Sequence, residues 1–362
     1  MWHVHSTGLV PKLVLISAWM RLVKLRFVIA LVGLASMVGC SSGAASSEWV
    51  EDNSPLTSPG PLMNAAKPLI TPTSDHSGET VEPTVLYFPN GWSGHTYWMI
   101  VSPYPNVPGH EGEEPFENPS ILVSEDGQQW SVPAGLKNPI ALPAQGTLAD
   151  ATGVYDDKSN QLFVYFLNDV KGTVYHESLL LTTSADGIHW TKPQVLFSGD
   201  NTFVNSPSVI KLGDTFYLWA VDTGIGCDTL TSTVNVRTSA DGIHWSDPTA
   251  LNISQPGYVI WHLNTIAVPS KGQLMSLLAS YPVGTNCDLT KLFFANSHDG
   301  VNWKTYSQPV LSPAPGWDSL EIYRSSLLYD PDMKLLRMWY SARDDVKLQW
   351  HVGFTSKTFP VQ

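Results

Sequence analysis

The chain is short of three things: cysteine, positive charge and helical periodicity. It has three Cys in 362 residues and 20 Lys and Arg against 32 Asp and Glu, a net charge of −12. A nucleic-acid partner calls for a basic face, so this balance argues against one. No stretch repeats apolar residues at helical spacing, which argues against helical bundles and alternating α/β folds. The long apolar run near the N-terminus, Phe27 to Met37, is short for a membrane span.

That run sits in a recognisable context. Arg21, Lys24 and Arg26 precede it, and Val38-Gly39-Cys40 follows it. This is the pattern of a secretory signal peptide over residues 1–39. A Cys directly after small residues resembles a bacterial lipoprotein cleavage box, with Cys40 as the lipidated residue. Met20-Arg21 is itself a good start, so residues 1–19 read as an upstream extension. Residues 40–66 are rich in Ser, Pro, Ala and Gly and read as a flexible tether. The expected location is the bacterial cell envelope, lipid-anchored or secreted, with the membrane met only through the anchor. In that oxidising setting Cys227 and Cys287, which occupy the similar phrases Gly-Cys-Asp-Thr and Asn-Cys-Asp-Leu, are expected to form a disulfide.

What the chain has in abundance is one phrase, Ser-x-Asp-Gly-x-x-Trp. It starts at Ser124, Ser184, Ser239 and Ser297, and its Trp copies (Trp130, Trp190, Trp245, Trp303) are 60, 55 and 58 residues apart. A period near fifty residues signals a repeat architecture. Asp-Gly between two β-rich runs signals a hairpin. Aligned on the phrase, each unit reads as strand, turn, strand, loop, strand, Asp-Gly turn, strand. The second unit predicts strands over 151–155, 161–167, 178–183 and 188–195. A fifth unit begins at Glu321 and ends before its fourth strand. Lys67-Pro68-Leu69-Ile70-Thr71-Pro72 resembles Gln308-Pro309-Val310-Leu311-Ser312-Pro313 of the fourth unit and can supply it. The expectation is an all-β, five-bladed propeller of four-stranded blades over residues 67–362, with the N-terminal segment completing blade five. Closure removes the exposed strand edges.

These units look like the five-bladed glycosidases of the arabinanase, β-xylosidase and levansucrase superfold, and the phrase is similar to the Asp-box of sialidases. The resemblance implies an active site in a central pocket, at the starts of the innermost strands. Strand parity puts those starts on one face with the ends of the second strands and the starts of the third. The four Asp-Gly turns fall on the opposite face, so Asp126, Asp186, Asp241 and Asp299 are excluded from the pocket. The innermost strands begin at Glu82-Pro83-Thr84, Asp150, Asn205-Ser206-Pro207, Trp261-His262-Leu263-Asn264 and Glu321-Ile322-Tyr323-Arg324.

Glycoside hydrolysis needs two carboxylates flanking the bond. The resemblance implies a base at Glu82, where the family usually has Asp, and a pKa-tuning Asp at Asp150. The usual blade-three acid is replaced by Ser206, so the acid falls to Glu321, with His262 and Asp222 as alternatives and a Glu321–Arg324 ion pair as the competing reading. Asn118, Tyr104, Asp222, His262, Asn264 and Arg324 are the candidate substrate-binding residues, with Glu117, Asp169 and Arg343 on the same face. The acidic loop Val107 to Phe116 reads as an exposed rim. No metal ligand set and no cofactor are assigned, although the resemblance allows an axial calcium. The resulting expectation is an exported, monomeric glycoside hydrolase or related carbohydrate-active enzyme acting on an oligo- or polysaccharide. A glycan-binding propeller lipoprotein without catalysis is the alternative. A sialidase-like enzyme ranks third, since that chemistry wants several Arg and the propeller holds only Arg237, Arg324, Arg337 and Arg343.

Overall fold

The computed structural model describes residues 56–106, 117–200, 205–224, 226–227 and 229–359. The signal peptide, Cys40, residues 40–55 of the tether and the rim 107–116 lie outside the described residues. Among the described residues, eighteen strands form five antiparallel sheets. Blade one holds β1 (Thr80–Trp92), β2 (His95–Pro103) and β3 (Ser120–Ser124). Blade two holds β4 (Thr147–Asp156), β5 (Gln161–Val170), β6 (His176–Ser184) and β7 (Gln194–Asp200). Blade three holds β8 (Asn205–Leu212), β9 (Thr215–Asp222), β10 (Thr233–Ser239) and β11 (Thr249–Ala250). Blade four holds β12 (Tyr258–Val268), β13 (Gln273–Pro282), β14 (Lys291–Ser297) and β15 (Trp303–Thr305). Blade five holds β16 (Glu321–Asp330), β17 (Leu335–Arg343) and β18 (Trp350–Thr358).

The first strands of neighbouring blades contact each other in sequence, β1 to β4 to β8 to β12 to β16 and back to β1. That ring is a five-bladed β-propeller, as the repeat predicts. The fourth position of blade five is taken by the N-terminal segment: Leu69 N donates to Val352 O at 2.8 Å, and Leu69 packs against the cluster shared by blades five and one. The outer strand of blade two runs later than the hydropathy suggests, because the Asp-Gly turn and its Trp190 occupy residues 185–193 before β7 begins.

Residues 56–66 depart from the tether assignment. Leu56 and Leu62 are buried in the core cluster of blades four and five. Leu62 N donates to Val310 O at 2.7 Å. Ala65 N donates to the Tyr340 hydroxyl at 2.7 Å. Composition alone hides this, since two leucines in a Pro- and Ser-rich segment suffice to dock it.

The repeated phrase works as a latch between blades. In each copy the Asp accepts two backbone N–H bonds, as Asp186 Oδ1 does from Ile188 and His189 at 2.8 Å. The Ser hydroxyl accepts the Gly N–H, at 2.8 Å for Gly187. The Gly then lies against an aromatic ring of the preceding blade. A Cβ on Gly187, at φ +76°, would stand 2.1 Å from Trp98, and one on Gly127 2.9 Å from Trp339. Trp339 Nε1 also donates to the Gly127 carbonyl at 2.6 Å. Glycine is required there by φ and by space together.

Candidate active site

All five innermost strands carry a register shift near their starts, between Val81 and Thr84, Ala149 and Thr152, Asn205 and Ser208, Ile260 and His262, and Ile322 and Ser325. A bulge leaves residues out of the ladder and re-aims their side chains. In blades one, two and three the bulged residue is non-glycine with left-handed backbone: Glu82 at φ 60°, Asp150 at 54° and Ser206 at 56°. Such conformations cost about 1–3 kcal/mol each and persist where the surroundings impose them. Pro83 and Pro207 follow two of these residues, and Pro suits a bulge because it has no ladder N–H to lose. The displaced amides are satisfied by neighbours. Glu82 N donates to Ser341 Oγ at 2.7 Å and Ser206 N to Asp150 Oδ2 at 3.1 Å.

The bulges bring Glu82, Asp150, His262 and Arg324 together, all at most 5% exposed. Arg324 Nη1 donates to Asp150 Oδ1 at 3.1 Å and stands 3.6 Å from Glu82 Oε2. Its Nη2 donates to the Pro207 carbonyl at 2.8 Å. His262 Nδ1 lies 3.3 Å from Asp150 Oδ1, and Nε2 lies 3.9 Å from Glu82 Oε1. Burial alone would raise the Asp150 carboxyl, but the His262 imidazole and the Arg324 guanidinium reverse this and hold it well below the usual carboxylate range. Burial pushes the His262 imidazole down, against the pull of Asp150. Asp150 is therefore the ionised member of the site, with Arg324 as its permanent counter-charge.

An aromatic wall stands beside the imidazole. The Tyr323 ring packs edge-on to His262 with centroids 4.3 Å apart, and its hydroxyl accepts from Trp261 Nε1 at 2.7 Å. Trp350 lies 5.0 Å from Tyr323. Burial, with the nearby Glu82, raises the Tyr323 phenol well above its ordinary value, so it stays protonated. A cavity of about 120 Å³ opens here, lined by Glu82, Asp150 and His262 with Glu117, Asp169 and Lys171, and by Tyr104, Tyr175, Trp261, Tyr323 and Trp350.

The sequence assignments divide accordingly. Glu82, Asp150, His262, Arg324 and Tyr104 come together. Glu321, the expected acid, does not line the cavity, and its partner is not Arg324: Oε1 accepts from Arg343 Nε and Oε2 from Thr290 Oγ1 at 3.1 Å. Asn264 Oδ1 accepts from Leu327 N at 2.9 Å and ties blade four to blade five. Asn118 is buried beside Glu117 without lining the cavity. Asp222 lines a separate cleft between blades two and three. The Cys227–Cys287 disulfide is formed, with Cα atoms 5.0 Å apart. No Asp-box carboxylate lines the cavity. Lys171, Tyr175 and Trp350 had no role assigned from sequence, yet parity could have found them. Lys171 follows the end of β5, Tyr175 precedes β6, and Trp350 opens β18, all on the pocket face.

Among the described residues, one oxygen each of Glu82 and Asp150 and one His262 nitrogen lie within 4.8 Å of one another. Both His262 ring nitrogens are buried, Nδ1 facing Asp150 at 3.3 Å and neither making a well-formed hydrogen bond. Two carboxylates and the one ring lone pair of a neutral imidazole fit a divalent cation of the zinc or manganese type.

Fold and site together define a five-bladed propeller with a buried carboxylate, imidazole and guanidinium centre on its axis. The chain is similar to an "A type blood N-acetyl-alpha-D-galactosamine deacetylase" of Flavonifractor plautii, at 31% identity over 74% of this chain and 41% of that protein. It thus spans about two fifths of that relative's length. A crystal structure of an N-acetylgalactosamine deacetylase from F. plautii, in complex with blood group B trisaccharide, superposes with a TM-score of 0.70 at 24% identity, covering 83% of this chain and 95% of that one. The catalytic domain of an α-L-arabinofuranosidase from Coprinopsis cinerea gives a TM-score of 0.61 at 15% identity, over 83% and 98% of the two chains. An α-L-arabinanase from Penicillium chrysogenum with arabinobiose gives 0.54 at 15%, over 82% and 98%. The structural neighbours are propeller glycoside hydrolases and a deacetylase of the same fold. No family profile matches the chain.

Proposed function

We propose that the protein is a carbohydrate-active hydrolase that removes the acetyl group from an N-acetylated amino sugar at the axial site. The observation that carries this reading is the Glu82, Asp150 and His262 cluster, closed on one side by Arg324, with no carboxylate at the blade-three position and Glu321 tied away from the cavity. A glycosidase needs a carboxylic acid facing its base across the scissile bond. An amide hydrolase needs instead an activated water, a proton acceptor and a donor for the oxyanion.

The chain's own groups supply these parts. Asp150, kept ionised beside Arg324, orients the imidazole at Nδ1. Nε2 then takes a proton from the water that attacks the acetyl carbon. It returns that proton to the sugar nitrogen as the C–N bond breaks, leaving acetate and a free amine. The Tyr323 hydroxyl already accepts from Trp261, so its own proton is directed elsewhere and can be donated to the developing oxyanion. A divalent cation held by Glu82, Asp150 and His262 would supply Lewis acidity and a more acidic water, with Nε2 then a ligand. Aromatic rings such as Tyr104 and Trp350 offer faces for the sugar.

Glycoside hydrolysis is the second reading, favoured by Glu117, a further buried carboxylate that lines the cavity. Incubation with N-acetylgalactosaminides separates the two: acetate without new reducing ends supports deacetylation, and reducing ends without acetate support glycosidic cleavage. Export and lipid anchoring through Cys40 remain part of the proposal and rest on residues 21–43.

A further inference from the structure

The aromatic wall beside His262 is held from outside by one cation. The Arg343 guanidinium stacks 5.0 Å over the Trp350 ring. Its Nε donates to Glu321 Oε1, and its Nη2 donates to Asp288 Oδ1 at 3.0 Å. Trp350 packs on Tyr323, and Tyr323 on His262. A contact chain therefore runs from Arg343 to the imidazole.

Asp288 lies next to the disulfide. It follows Cys287, which is joined to Cys227 from the neighbouring blade. Both cysteines, like Tyr323, pack against the buried cluster of Val259, Trp261 and Tyr281. The loop around Asp288 is strained: Asn286, Cys287 and Leu289, none of them glycine, have φ of 50°, 58° and 62°. Such backbone holds only where the surroundings impose it; the cross-blade bond at Cys287 and the Thr285 hydroxyl, 2.8 Å from Pro282 O and 2.9 Å from Asp288 O, bracket this loop.

Stability alone does not call for this arrangement. A well-packed apolar pair commonly does as well as a buried ion pair. What a guanidinium adds is geometry, since one planar group bonds two carboxylates while stacking on a ring, which an ammonium cannot do. We propose that Arg343 is a positioning residue of the axial site, setting the Trp350 and Tyr323 wall against His262, and that the Cys227–Cys287 disulfide is the clasp that keeps Asp288 within its reach. The proposal rests on the hydrolytic reading of that site.

The test uses full-length protein labelled with ¹³C-histidine, the His262 resonance being assigned by its loss in His262→Gln. Three variants are compared with wild type: Arg343→Lys, the double variant Cys227→Ser/Cys287→Ser, and the exposed Asp288→Asn, which leaves no buried charge unpaired. All three are expected to displace the His262 ring resonance while unfolding stays cooperative. With an N-acetylgalactosaminide as probe, kcat/KM is expected to fall on the order of 10- to 100-fold in Arg343→Lys, mostly through kcat, as for a small misplacement of a catalytic group. An unmoved His262 resonance in Arg343→Lys and in Asp288→Asn would overturn the proposal, whatever the activity. If wild type releases no acetate, the deacetylase reading fails, but the resonances still decide whether Arg343 positions His262.

Discussion

Arg324 of blade five donates to Asp150 of blade two across the propeller axis, Nη1 to Oδ1 at 3.1 Å, at a sequence separation of 174. The same guanidinium stands 3.6 Å from Glu82 of blade one. One buried cation thus holds two buried carboxylates from two other blades.

Arg324→Met should destabilise the fold by about 3–5 kcal/mol, the cost of leaving buried carboxylates without their cation. Urea unfolding of the variant measures it. Loss of less than about 1 kcal/mol would mean that the carboxylates take up protons or a cation instead.

Asp150 and Asp126 are both carboxylates at strand ends, yet they sit on opposite faces. Asp150→Asn should lower kcat by about 10²–10⁴-fold, the usual worth of positioned proton transfer. Asp126→Asn should leave turnover near wild type and cost stability, because Asp126 accepts backbone N–H bonds from Gln128 and Gln129 at 2.8 Å. Steady-state kinetics and thermal unfolding on the same preparations give both readouts.

Placing Ala at position 187 forces a Cβ to within 2.1 Å of the Trp98 ring in a left-handed conformation. Gly187→Ala should cost roughly 2–4 kcal/mol, combining overpacking with backbone strain. Gly213→Ala, with nothing within 4 Å and a φ of +55°, should cost only the backbone share of about 1–2 kcal/mol.

Acid should weaken the latches. Backbone N–H bonds hold Asp126, Asp186 and Asp241 below the usual range. Burial would raise Asp299, but the Asn302 and Val301 amides outweigh it and hold it at about 2. A carboxylate whose folded pKa lies below its unfolded value, about 3.9, gives stability that is complete above that value. The contribution is lost as pH falls through the folded pKa. The latch contribution, read as the difference in urea midpoint between wild type and Asp186→Asn, should therefore be flat above about pH 5 and shrink below about pH 4. A difference that stays constant through that range would contradict the assignment.

The architecture was legible because the Asp-Gly turn is local chemistry repeated in register, so it counted the blades and fixed the two faces. That Glu82, Asp150, His262 and Arg324 share one face was legible from strand parity, and their place at a central pocket from the family resemblance. Glu321 was misjudged because parity fixes a face and not a rotamer. Arg343, directly opposite it in the β16–β17 ladder, captures its carboxylate. Trp350 and Tyr323 passed unassigned because aromatics are common at blade seams. The docking of residues 56–66 was hidden by a composition that reads as linker.

A chelator separates the two roles open to His262 Nε2. If a cation is bound there, dialysis against EDTA should abolish turnover and restoring Zn²⁺ or Mn²⁺ should recover it. Full activity after chelation would leave Nε2 as the proton acceptor.

The central claim is that the axial centre cleaves an amide on a sugar. Its direct test is the quantification of acetate and of reducing ends from an N-acetylgalactosaminide, in wild type and in His262→Gln. The account predicts acetate in step with free amine, no new reducing ends, and loss of acetate release in the variant. Reducing ends without acetate, or acetate release unchanged in His262→Gln, would contradict it.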